Sequence, residues 1–142
     1  MANYIVDASI VIEYLITGVY TSNVRAFFNQ VGVQDRLIVP EFCLLECTNV
    51  IWKQVRFNGM PRDNAEGLLK VLGALKLIRA PMKHLLSRAL TVALKNGLAV
   101  YDSSYLALAL HYGYPLLSID QPQIRAATKE GITSIPIASF GS

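Results

Sequence analysis

Charge is scarce in this sequence. Only 16% of its 142 residues are Asp, Glu, Lys or Arg, against 53% that are hydrophobic. An ordinary soluble domain carries about 25% charge, so some apolar surface is expected to be left for a partner, in the first instance a second copy of the chain. Long apolar runs are missing too. Nothing approaches the roughly 20 residues of a membrane span, and Asp7 and Glu13 interrupt an N-terminus that lacks a basic start. No membrane segment and a cytoplasmic location are therefore expected. Cysteine is limited to Cys43 and Cys47, four apart with no second ligand pair at zinc spacing, and His84 and His111 stand alone. This argues against a zinc site and predicts two buried free thiols. With no Gly-, Pro- or Ser-rich stretch to divide it, the chain is expected to form one domain over residues 1–142.

What the sequence does have is a set of short apolar, β-favouring runs that alternate with helical patterns. Tyr4-Ile5-Val6 ends abruptly at Asp7 and leads into a helix through Ile10 to Ile16. Ser22 is placed to cap a second helix, Asn23 to Val31. Leu37-Ile38-Val39 reads as a strand, and Pro40 suits the first turn of a long helix reaching Asn58, apolar around most of its girth and so expected to be substantially buried. Arg62 to Leu75 pairs with it as an α-hairpin, and Lys76 to Arg79 reads as an edge strand. Pro81 opens a helix that Gly97 ends, Ser103 to Tyr112 forms the next, and Pro115 to Ile119 is a buried strand ending at Asp120. Gln121 to Glu130 is helical, and Ile135 to Ala138 is a last edge strand marked by Pro136. Strands alternating with helices predict a three-layer α/β domain around a mainly parallel central sheet.

Four acids then stand out. Asp7 and Asp120 each end an apolar strand, and a parallel sheet brings both out at the edge where its ligands bind. Asp102 stands at a helix start. Glu46 lies inside the most hydrophobic helix, sharing a face with Asn49, Val50 and Lys53. Each has an ordinary alternative: Asp7 and Asp102 as helix caps, Asp120 as a turn former, Glu46 on a solvated face. If they meet, two ionised carboxylates about 5 Å apart repel by about 3 kcal/mol at an effective dielectric near 20, which calls for a cation. An all-oxygen set selects Mg²⁺ or Mn²⁺. With the four set aside from the 10 acidic residues, 6 acids remain against 13 basic ones. A basic body around an acidic pocket suits a polyanionic substrate, and Lys53 and Arg56 are candidates for contact with its backbone.

Ile5-Val6-Asp7-Ala8-Ser9, Pro40-Glu41 with Glu46 and Asn49, Val100 to Ala109 around Asp102, and Ser118-Ile119-Asp120 together resemble the ordered motifs of PIN-domain ribonucleases. More narrowly, they resemble the VapC-like toxins of type II toxin–antitoxin modules. The segment around Asp102 is the most specific of them. The resemblance implies a Mg²⁺- or Mn²⁺-dependent endoribonuclease, usually dimeric, acting on RNA and held inactive by a small antitoxin. It makes Asp7, Glu46 and Asp102 the main metal-holding acids, with Asp120 completing the site, Ser9 orienting Asp7 or a water, and Asn49 as a supporting donor. Gln121-Pro122 departs from the basic residue more usual after the last acid.

The alternative function is a binding module that uses the same fold and pocket to hold RNA or protein without turnover. A phosphoaspartyl phosphatase would want a second Asp where Ser9 stands, and a receiver-like domain would want paired acids after the first strand.

Overall fold

The structure, a computed structural model, describes residues 1–141. Five strands and seven α-helices alternate along them: β1 (Asn3–Val6), α1 (Ala8–Leu15), α2 (Thr21–Gln30), β2 (Arg36–Pro40), α3 (Cys43–Asn58), α4 (Arg62–Ala74), β3 (Ile78–Ala80), α5 (Leu86–Asn96), α6 (Val100–Tyr112), β4 (Leu116–Leu117), α7 (Gln121–Lys129) and β5 (Ser134–Ile135). The sheet has the order β3-β2-β1-β4-β5, and every pairing is parallel. This is the expected α/β architecture. Connections run from β1 outward to β2 and β3, then return to β4 and run outward the other way. Right-handed crossovers therefore place the helices of the two halves on opposite faces of the sheet, and α6 packs against β1, β2 and β4. The strand runs are continuous because both faces are covered: Ile5, Val6, Ile38, Val39, Leu116 and Leu117 are all buried.

Strand order reverses between β1 and β4, which makes their carboxyl ends the crevice of the fold. Asp7 directly follows β1 and Asp120 closely follows β4, so the topology aims both at that crevice.

Several boundaries differ from expectation for local reasons. Pro40 closes β2 rather than opening α3, because the ladder to β3 continues past it through the Glu41 N–H donating to the Ala80 carbonyl at 2.9 Å. The second helix begins at Thr21, one residue before the proposed Ser22 cap, and the Thr21 hydroxyl accepts the Gly18 N–H at 2.7 Å. After Pro81 a short 3₁₀ turn at Lys83–Leu85 precedes α5. The last strand is Ser134–Ile135, since Pro136 lacks the N–H to extend it and Ile137–Ser139 wind into another 3₁₀ turn. The α6 helix starts at Val100, not Ser103, so Asp102 lies inside its first turn, and Gly113, at φ 70°, ends it. At positive φ a glycine carries no Cβ penalty.

Burial brings one further correction. The α3 helix is not substantially buried all round: Cys43, Cys47 and Ile51 face the core, but Leu45 is 73% and Trp52 51% exposed. The α6 helix buries Tyr105 to Ala109 at the centre of the molecule. Both thiols are free and buried as expected. No helix among the described residues is long and apolar enough to cross a membrane.

Candidate active site

Asp7 forms the floor of the crevice and is only 5% exposed. It is the N-cap of α1, its Oδ2 accepting the Ser9 N–H at 3.4 Å, so the capping and crevice readings of this residue hold at once. The same oxygen accepts the Ser9 hydroxyl at 2.6 Å and the Ser118 hydroxyl at 2.9 Å, while Oδ1 accepts the Gln123 side-chain amide at 3.2 Å. The two hydroxyls also tie the strand ends together. Ser9 Oγ accepts the Ile119 N–H at 3.1 Å and Ser118 Oγ accepts the Asp120 N–H at 3.0 Å.

The other acids stand around Asp7 from three further elements. Asp120 caps α7, its Oδ2 accepting the Gln123 N–H at 3.0 Å, and is exposed. Asp102 is exposed in the first turn of α6, where the helix N-terminus favours a carboxylate. Glu46 is half-buried in the first turn of α3, its Oε1 accepting the Tyr105 hydroxyl at 2.7 Å. Asn49 follows Glu46 by one turn and is exposed.

Charge records how close these groups are. Burial pushes the Asp7 carboxyl above the ordinary range, against the opposing pull of its Ser9, Ser118 and Gln123 hydrogen bonds. Burial also raises Glu46, and the charges of Asp7 and Asp102 add to it despite the Tyr105 bond. Asp102 is raised first by burial and then by Asp7 and Asp120. The charge of Asp7 thus reaches both Glu46 and Asp102, and that of Asp120 reaches Asp102. As their side chains are placed, no three His, Cys, Asp or Glu residues among those described form a group able to hold a metal ion. The set fits a hard divalent cation by donor chemistry and by its surplus of negative charge. Asp7 is pinned by its donors, whereas Asp102 and Asp120 are exposed, and Asp120 is held through one oxygen only.

Three residues of the site escape sequence reasoning. Gln123 is 1% exposed and donates both to Asp7 and, at 2.7 Å, to the Asp102 carbonyl, thereby joining α7, β1 and α6. Its Oε1 is a buried acceptor without a hydrogen-bond partner among the described residues. Ser118 and Tyr105 lie within the segments around Asp120 and Asp102, yet nothing in the sequence says that one hydroxyl reaches Asp7 and the other Glu46. A polar group inside an otherwise apolar helix face is the signal that marks Tyr105 in retrospect.

Comparison with known proteins identifies the family. The PIN domain family model matches residues 4–129. Exonuclease VapC9 of Pyrobaculum aerophilum is 29% identical over 123 residues, covering 85% of this chain and 90% of the relative. Ribonuclease VapC3 of the same organism is 32% identical over 95 residues, covering 64% and 71%. Among solved structures, Mycobacterium tuberculosis VapC20, described as a sarcin-ricin loop cleaving toxin, superposes with a TM-score of 0.69 at 11% identity, covering 94% of this chain and 98% of that one. It shares the fold. From the matched span and the ordered acids together, the chain belongs to the PIN domain family, among its VapC-like members.

Proposed function

We propose that this protein is a divalent-metal-dependent endoribonuclease and the toxin of a type II toxin–antitoxin pair. The observation that carries the reading is the buried Asp7 carboxylate at the switch point of a parallel sheet, close enough to Glu46 and Asp102 for its charge to raise both, with Asp120 beside Asp102. These four acids would hold Mg²⁺ or Mn²⁺. Bound there, such an ion supplies positive charge for a phosphodiester oxygen and acidity for a hydrolytic water. Ser9, Ser118 and Gln123 keep Asp7 oriented, and Tyr105 keeps Glu46 oriented. Asn49, one turn beyond Glu46, would serve as a supporting donor. No side chain is needed as a covalent nucleophile.

An RNA substrate fits the excess of basic residues outside the crevice and implies a cytoplasmic location. A small antitoxin and a second copy are the proposed protein partners. Exposed apolar side chains support both, among them Leu86, Leu90 and Leu94 at four-residue spacing on α5, and Leu45, Trp52 and Phe57 on α3.

The names of the two curated relatives differ in the type of nuclease, so the test uses RNA in linear and circular form. A mixed RNA pool should be cut with Mg²⁺ or Mn²⁺ and left intact with chelator or by Asp7→Asn, and a circular RNA should be opened. A circle left intact while linear RNA is shortened would make the protein an exonuclease. Equal cleavage by wild type and variant would reject the site, and metal-independent RNA binding with no turnover would favour the binding-module alternative.

A further inference from the structure

A cavity of about 410 Å³ opens beside Glu46, lined by the apolar Ile12, Phe42 and Val50, by Tyr101, and by the polar Asn49 and Lys53. Its size falls in the range of small-ligand sites, about 300 to 1,000 Å³. Tyr101 is the residue that needs an explanation. It is 63% exposed, although α6 buries the aromatic residue one turn later, Tyr105. Its ring meets Phe42 edge-on, with centroids 5.3 Å apart at 76°, and Phe42 in turn meets Tyr105 at 6.2 Å and 86°. An edge-on contact occupies one side of an aromatic pair and leaves a ring face to stack on something else. Glu46 lines the same cavity as Tyr101, so whatever stacks on the ring lies beside one of the acids.

We propose that this cavity is a nucleobase site, taking the base adjacent to the phosphodiester that is cut, with Tyr101 as the stacking platform and Asn49 as the reader of the base edge. The proposal rests on the ribonuclease reading. Its components follow one another along α3 at helical spacing: Glu46 at the acids, Asn49 one turn on, Lys53 another turn on. A side-chain amide presents both a donor and an acceptor, the pattern a base edge demands. A lysine beyond it suits the next phosphate of a strand whose preceding phosphate is at the acids. The aliphatic walls from Ile12 and Val50 fit a flat ring system. An apolar peptide side chain would use those walls but would leave the amide and the ammonium without a counterpart, so RNA is the occupant the lining favours.

The test combines cleavage and binding. Wild type, Tyr101→Ala, Tyr101→Phe and Asn49→Ala are given a random-sequence RNA pool with Mn²⁺, and the ends produced are sequenced. In parallel, binding of four labelled hexanucleotide RNAs differing in one base is measured by fluorescence anisotropy with Ca²⁺. Wild type is expected to prefer one base beside the cut. Tyr101→Ala should weaken binding and raise KM at least roughly fivefold, the lower end of a lost base–aromatic stack, with a smaller change in kcat. Tyr101→Phe should restore both, and Asn49→Ala should flatten the base preference. Cleavage with no base preference, or a preference and KM unchanged in Tyr101→Ala, overturns the nucleobase site while the ribonuclease reading stands. Base-selective binding that Tyr101→Ala abolishes, with no cleavage by wild type, supports the site and overturns the ribonuclease reading. An unchanged base profile together with lost inhibition by the antitoxin would assign the cavity to the protein partner and overturn the proposal.

Discussion

Asp7 is held by three side chains from three parts of the chain, and this explains why a buried carboxylate survives at the centre of the fold. Ser9 and Ser118 donate to one oxygen and Gln123 to the other. Removing the charge while keeping the cap, in Asp7→Asn, is expected to abolish metal-dependent cleavage. Removing one of its supports should do less: Gln123→Ala is expected to lower kcat about 10- to 100-fold, the usual effect of losing a residue that orients a metal ligand. Steady-state kinetics with a thermal midpoint for each variant checks this, and full activity in Gln123→Ala would show that the amide serves packing alone. Asp7, Glu46, Asp102 and Asp120 were legible in the sequence because each breaks an apolar run. Gln123 was not. Three polar or turn-forming residues in Gln121-Pro122-Gln123 look alike along the chain, and only the docking of α7 against α6 turns the third one inward.

At the scale of elements, Asp120 does two things. It caps α7 through the Gln123 N–H, and it faces Asp102 closely enough to raise it. The two roles separate by substitution. Asn caps as well as Asp, whereas Ala costs about 0.5 to 2 kcal/mol of helix stability. Asp120→Asn is therefore expected to leave urea-induced unfolding unchanged and to reduce cleavage, while Asp120→Ala should lower both. Equal cleavage by Asp120→Asn and wild type would confine Asp120 to capping. The alternation of strand and helix was readable because the strands are covered on both faces and run as uninterrupted apolar segments. The start of α6 was not, since Leu98-Ala99-Val100-Tyr101 is as apolar as a strand, yet Val100 and Tyr101 already belong to the helix. The exposure of Leu45 and Trp52 was equally hidden, because a periodic apolar pattern does not distinguish a core from a partner.

For the whole molecule, the acids make stability depend on pH and metal together. Asp7, Glu46 and Asp102 are raised on folding, so their contribution is fully present below the ordinary values of 3.8 for Asp and 4.5 for Glu and is lost as pH rises through the raised ones. Asp35, lowered by the Gly32 and Ala2 N–H groups, works in the opposite sense and loses its contribution as pH falls. Comparing wild type with Asp7→Asn cancels that background. In chelator, wild type should lose stability relative to the variant as pH rises toward neutral, and urea midpoints across the pH series read this directly. A divalent ion should reverse the order by binding the folded state alone. The most direct measurement is Mn²⁺ titration of wild type, Asp7→Asn and Asp102→Asn, following free Mn²⁺ by electron paramagnetic resonance. The account predicts saturable binding by wild type that each variant weakens at least about tenfold. Equal binding by all three proteins would contradict a metal site built from these acids.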